Sequence, residues 1–139
     1  MAKSFVPSDE RMRQVLEDAK RIAVVGLSNK PDRPSYQVAA YLQAQGYEII
    51  PVNPMVDEVL GQKAVASLKD VEGEIDIVDV FRRSEEVPAV VDEAIAVGAK
   101  ALWLQLGVIH EEAAQKAADH GMDVIMDRCI KVEHARLFS

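Results

Sequence analysis

Cys129 is the only cysteine in the 139-residue chain, which excludes an internal disulfide and fits a reducing compartment. No apolar run exceeds strand length, and the opening stretch MAKSFVPSDERMRQ lacks the apolar centre of a secretory signal. No membrane helix is therefore expected, and the cytoplasm is the expected location. Positive charge is scarce: 16 Lys and Arg stand against 23 Asp and Glu, a formal net charge of −7. Duplex affinity comes largely from cations that neutralise phosphates, so this balance argues against a sequence-independent nucleic-acid binder, and no basic stripe offsets it. A small anionic ligand stays compatible wherever local donors outweigh the diffuse acidic field. Metal ligands are thin as well. His110, His120 and His134 lie far apart beside one cysteine and match no zinc spacing. Repeats, low-complexity tracts and an interdomain linker are missing, and the length suits one domain, 1–139, around one core.

Glycine is scarce where a dinucleotide fingerprint would need it. Gly26 stands alone in RIAVVGLSNKPDRPSY, residues 21–36, so the pattern G-x-G-x-x-G is absent. What the stretch does contain is a short apolar, β-branched run over 22–25, suited to a strand buried on both faces of a parallel sheet. After Gly26 come Leu27 to Pro34, whose two prolines forbid a helix. Ser35 is a candidate N-cap, and the spacing predicts a helix over 36–45 closed by Gly46. The loop between Gly26 and Ser35 holds eight residues (27 to 34), more than the two to six or so that usually link strand to helix. It carries Lys30 and Arg33. Strand, polar loop and helix start together present free N–H groups and the positive end of a helix dipole, a setting that suits a phosphate.

Along the rest of the chain, Ser8-Asp9-Glu10 reads as the cap and acidic first turn of a helix whose Met12, Val15, Leu16 and Ala19 share a face. A second strand is expected over 47–52, with its ladder fraying at Pro51 or the proline turned toward an unpaired side. The third, over 75–81, is interrupted by Asp76 and Asp79 and is expected nearer an edge than the first. Ser84-Glu85-Glu86 would cap a helix with Val87, Val90, Val91, Ala94 and Ile95 inside. A fourth strand over 101–106, a helix over 110–120, a fifth strand over 123–126 and a last helix over 129–138 complete the pattern. Alternating strands and helices of this kind make an α/β domain: an open parallel five-stranded sheet with helices on both faces, expected order 3-2-1-4-5. Ligands of such sheets bind at the carboxyl ends of the strands, here where strands one and four would diverge. Trp103 is expected in the core, Asp127 and Arg128 as an ion pair fixing the last helix, and Arg83 on the surface.

With VVGLSNKPDRPSYQVAAYL, IIPVNP, DIVDVFRRSEEV, GAKALWLQLGV and VIMDRCIKVEH in this order, the chain resembles the small CoA-binding domain proteins. These are similar to the Rossmann-like N-terminal domain of the succinyl-CoA synthetase α-subunit. The resemblance implies coenzyme A as ligand, with its pyrophosphate against Gly26, Ser28, Asn29, Lys30, Arg33, Ser35 and Tyr36. It implies adenosine over Val52, Asn53 and Pro54 and near Phe81 and Arg82, with Gln105 and Gly107 on the pantetheine side. Cys129, just past the last strand, reads as a buried small hydrophobe, with the alternative that it faces the CoA thiol, where oxidation would convert a fraction into a mixed disulfide. Met55-Val56 stand where the synthetase subunit carries a nucleotide-touching lysine, and its phosphohistidine domain has no counterpart in these residues.

No nucleophile with a base and an orienting third group assembles from the motifs, so a non-catalytic binder of CoA or acyl-CoA is expected. Two rivals stand beside it. One is an NAD(H)-binding domain, which would favour an acid at the second strand's exit, where Asn53-Pro54 stand. The other is an interaction module with a vestigial pocket. Phe5 and Phe138, outside the expected core, leave room for a homodimer.

Overall fold

The computed structural model describes residues 5–139. Helix α1 (Asp9–Asp18) opens where Ser8 Oγ accepts the Arg11 N–H at 3.1 Å, and it buries Met12, Val15 and Leu16. Strand β1 (Arg21–Val25), helix α2 (Pro34–Ala44) and strand β2 (Glu48–Val52) follow. A short hairpin of β3 (Glu58–Val59) and β4 (Gln62–Lys63), unannounced by the sequence except for its turn at Gly61, leads into a 3-10 turn at Leu68–Asp70. Then come β5 (Ile77–Val80), α3 (Val87–Ala96), β6 (Ala101–Leu104), α4 (Glu111–Asp119), β7 (Asp123–Ile125) and α5 (Ile130–Leu137).

Five parallel strands form the open α/β sheet that the alternating pattern predicts, but their order is β2-β1-β5-β6-β7. In chain order of the five that is 2-1-3-4-5 and not 3-2-1-4-5, so the third strand is central instead of lying near an edge. The chain reverses direction across the sheet between β1 and β5, not between the first and fourth strands. The aspartates misdirect the reading because both are accommodated. Asp76 accepts the N–H groups of Lys20 and Arg21, each at 2.9 Å. Asp79 lies fully buried between Val24 and Trp103 in register, with Gln105 Nε2 donating to its Oδ1.

The edges are β2 and β7, and the place of β2 explains Pro51. Val65 N–H donates to the Pro51 carbonyl and Asn53 N–H to the Val65 carbonyl. A residue's N–H and C=O point to the same side of a strand, so the donor that proline lacks would have faced outward. One apolar layer joins α1, α2 and α5 to Ile22, Val24, Ile77 and Trp103. The opposite layer joins α3 and α4 to Ala23, Val25, Val78 and Leu102. Trp103 is fully buried and its indole N–H donates to the Arg128 carbonyl at 2.9 Å.

Some local expectations change. A 3-10 turn at Ser84–Glu86 precedes α3, and Ser84 Oγ accepts from Ile109 N–H instead of capping that helix. Asp127 and Arg128 are not an ion pair: the Asp127 carboxylate accepts the Gly107 N–H at 2.7 Å, while Arg128 faces Glu133. Phe138 stacks on His134 with centroids 4.6 Å apart and lies under the Arg13 guanidinium, and Phe5 packs on the α3 and α4 layer. Both rings are half-buried against their own chain.

Burial pushes the Asp79 carboxyl from 3.8 up to about 8, and only the Gln105 bond works the other way. Its folded state holds the proton more tightly than the unfolded state. Stability from this group is therefore fully present below about pH 4 and is lost as pH climbs toward about 8, at up to roughly 1.4 kcal/mol per pH unit. Thermal melts across that window are expected to show the wild type losing stability relative to Asp79→Asn as pH rises. Parallel curves would contradict the burial account.

Candidate functional site

The exit of β1 decides the geometry of the rim. Gly26 adopts φ +86°, and its N–H donates to the Val52 carbonyl at 2.9 Å. A Cβ there would overlap the Phe81 carbonyl oxygen, so the first loop leaves the sheet in close contact with the exit of β5. Phe81 N–H donates to the Val25 carbonyl at 2.8 Å, which locks the two exits together.

Hydroxyl and amide side chains then shape the loop. Ser28 N–H donates to Ser35 Oγ at 3.0 Å and Lys30 N–H to Ser28 Oγ at 3.1 Å. Asn53 Nδ2 donates to the Leu27 carbonyl at 3.0 Å, tying the β2 exit to the same loop. Ser35 is therefore not the N-cap. That position belongs to Arg33, which makes no side-chain cap, with Pro34 starting the helix. The serine hydroxyl is spent on the loop, and no partner among the described residues meets the N–H groups of Ser35 and Tyr36. These first-turn amides are the donors that a helix start offers to an anion.

Around this loop opens a cleft of about 880 Å³. Of the residues that the sequence reading places at the ligand, Gly26, Ser28, Lys30, Arg33, Ser35, Phe81, Arg82, Gln105 and Cys129 line it. Others do not. Asn29 is exposed on the loop, and the Tyr36 ring packs into the α2 layer. Val52 is buried in the sheet, Pro54 is exposed beyond it, and Gly107 occupies a turn. Asn53 holds the loop from beneath. The cleft thus runs from the β1 exit toward β7 and leaves out the β2 exit, where the adenosine was expected.

Pro34, Val38, Arg83 and Glu86 also line it, without having been singled out in the sequence as ligand residues. Val38 fits a core stripe equally well, and Arg83 reads as a surface cation because nothing in the sequence places the turn after β5 against the first loop. Arg83 lies 3.6 Å from both Glu85 and Glu86. Lys30, Arg33 and Arg82 have no side-chain hydrogen bond or ion pair among the described residues. In a chain of net charge −7, three unpaired cations on one cleft make a local site for an anion. Beneath them the buried Gln105 reaches from the lining to Asp79, whose Oδ2 has no partner. Cys129 is partly exposed on the wall as the N-cap residue of α5.

Comparison with known proteins gives the following. Residues 20–135 match the family model described as a CoA binding domain. The Bacillus subtilis protein YneT is 54% identical over 129 residues, 93% of this chain and 96% of its own. The α subunit of acetate–CoA ligase (ADP-forming) II from Pyrococcus furiosus is 31% identical over 84% of this chain, which spans only 28% of that subunit. A solved structure of a protein from Pyrococcus horikoshii OT3 superposes with a TM-score of 0.93 at 37% identity, covering 100% of both chains.

The contact at Gly26 has a measurable cost. Gly107, also at positive φ (+86°), has nothing within 4 Å of an added Cβ. Gly107→Ala is therefore expected to lose only the dihedral term, about 1–2 kcal/mol. Gly26→Ala should lose about 1–3 kcal/mol more through overlap with the β5 exit. Urea midpoints compare the two, and equal losses would mean that the exits are not held in contact.

Proposed function

The chain belongs to the CoA binding domain family, and from that premise and the cleft we propose that it binds coenzyme A or an acyl-CoA as a single, non-catalytic binding domain. The observation that carries the reading is the set of three unpaired cations, Lys30, Arg33 and Arg82, set around an uncapped helix start at the carboxyl ends of the strands. A diphosphate offers several charged acceptor oxygens, and guanidinium groups match them with paired donors. Its oxygens accept from the open N–H groups of Ser35 and Tyr36, while Lys30 and Arg33 close over it from the loop and Arg82 from the β5 exit. The pantetheine arm then runs toward Gln105 and Cys129.

Support for coenzyme A over another nucleotide comes from the family and from the Pyrococcus furiosus relative, a CoA ligase subunit by name. That subunit is far longer than this chain, so its ligase reaction is not carried over. Binding suffices for the groups present, since the cleft gathers donors, cations and apolar walls.

Titration calorimetry with CoA, NAD and ATP tests the reading. Heat selective for CoA is expected, while NAD-selective heat would favour a dinucleotide domain and silence with all three an interaction module. Arg33→Ala is expected to weaken CoA binding by about 1.5–3 kcal/mol, on the order of ten- to a hundredfold. An unchanged affinity would remove Arg33 from the phosphate site.

A further inference from the structure

Leu106 is 69% exposed and Ile109 44%, and both belong to the stretch that leaves β6 beside the cleft. Scattered exposed apolar side chains need no explanation, but these sit on a turn that hydrogen bonds fix on several sides. Val108 N–H returns to the Gln105 carbonyl at 2.8 Å, and Gly107 has the positive φ that a type II turn puts at its third residue. Gly107 N–H donates to the Asp127 carboxylate at 2.7 Å, and Ile109 N–H to Ser84 Oγ at 2.9 Å. Leu106 is the second residue of that turn and is held in water at its tip. The pinned backbone holds Leu106 at the rim, where its exposed apolar side chain lines the cleft.

The lining changes character along the sheet. Lys30 and Arg33 follow β1 and Arg82 follows β5, whereas Leu106 and Val108 follow β6 and Cys129 follows β7. A single ligand stretched along this rim meets cations at one end and alkyl groups at the other. We propose that the β6 end is an acyl subsite: the cleft takes a CoA thioester carrying an aliphatic chain, which packs on Leu106 and Val108, in preference to free CoA. The inference rests on the CoA reading above and names the ligand class of that same site. An apolar peptide would cover Leu106 yet leave three cations facing no anion, whereas a thioester supplies both ends in one molecule.

Calorimetric titration of wild type, Leu106→Ser and Val132→Ser with CoA, acetyl-CoA and hexanoyl-CoA decides it. Val132 is 59% exposed on α5 and is not part of the cleft lining. The wild type and Val132→Ser are expected to bind hexanoyl-CoA roughly tenfold more tightly than CoA, the burial of a few methylenes. Leu106→Ser is expected to lose most of that ratio. CoA binding with no gain from the chain overturns the acyl subsite and leaves the CoA reading standing. So does a ratio that survives Leu106→Ser, or sedimentation that finds a dimer dissociated by it. Silence with CoA and both thioesters overturns the CoA reading and this inference with it.

Discussion

The rim is shaped by the close approach of two strand exits, with the backbone of Gly26 resting against the carbonyl of Phe81. Only a residue without a side chain, at positive φ, lets the first loop leave the sheet there. That contact brings Lys30 and Arg33 from one loop and Arg82 from the next to a common cleft. Because β1 and β5 are adjacent strands, their exits converge where the chain reverses direction across the sheet, the place at which open parallel sheets receive ligands. Topology and electrostatics thus meet at one point.

Charge is distributed with the same economy. Several short surface ion pairs link elements of the fold: Arg11 with Asp123, Arg21 with Glu48, and Arg136 with both Asp9 and Glu133. Arg11 and Asp123 fasten α1 to the start of β7, and Arg136 fastens α5 to the start of α1. Three cations of the cleft stay outside this network although carboxylates outnumber basic groups overall. Leaving them unpaired in an acidic protein makes sense if an external anion completes them. The same rim grades into apolar walls at Val108 and Leu106, so its polarity follows the sheet from one strand exit to the next.

Element types were legible because their signals are local. A buried β-branched run marks β1, spaced apolar residues mark α1 and α3, and Ser8 caps the first helix as its position predicts. The order of strands was not, since hydrophobic periodicity says that a segment pairs without saying with which neighbour. Asp79 misled for a physical reason: a carboxyl in mid-strand suggests solvent, yet Gln105, far along the chain, makes its burial tolerable. The loop cations were legible from composition against an acidic background. The absence of the β2 exit from the cleft was not, because Asn53 turns out to bond the Leu27 carbonyl from below, and no local pattern distinguishes a supporting asparagine from a ligand-facing one.

The most direct test of the cradle is amide chemical-shift mapping of the labelled chain during addition of CoA. Saturable shifts are predicted at Gly26, Ser28, Lys30, Ser35, Tyr36 and Arg82, with the opposite end of the sheet around Gly98 to Lys100 unmoved. Shifts concentrated at that opposite end, or none at the β1 exit while CoA binds, would contradict the account.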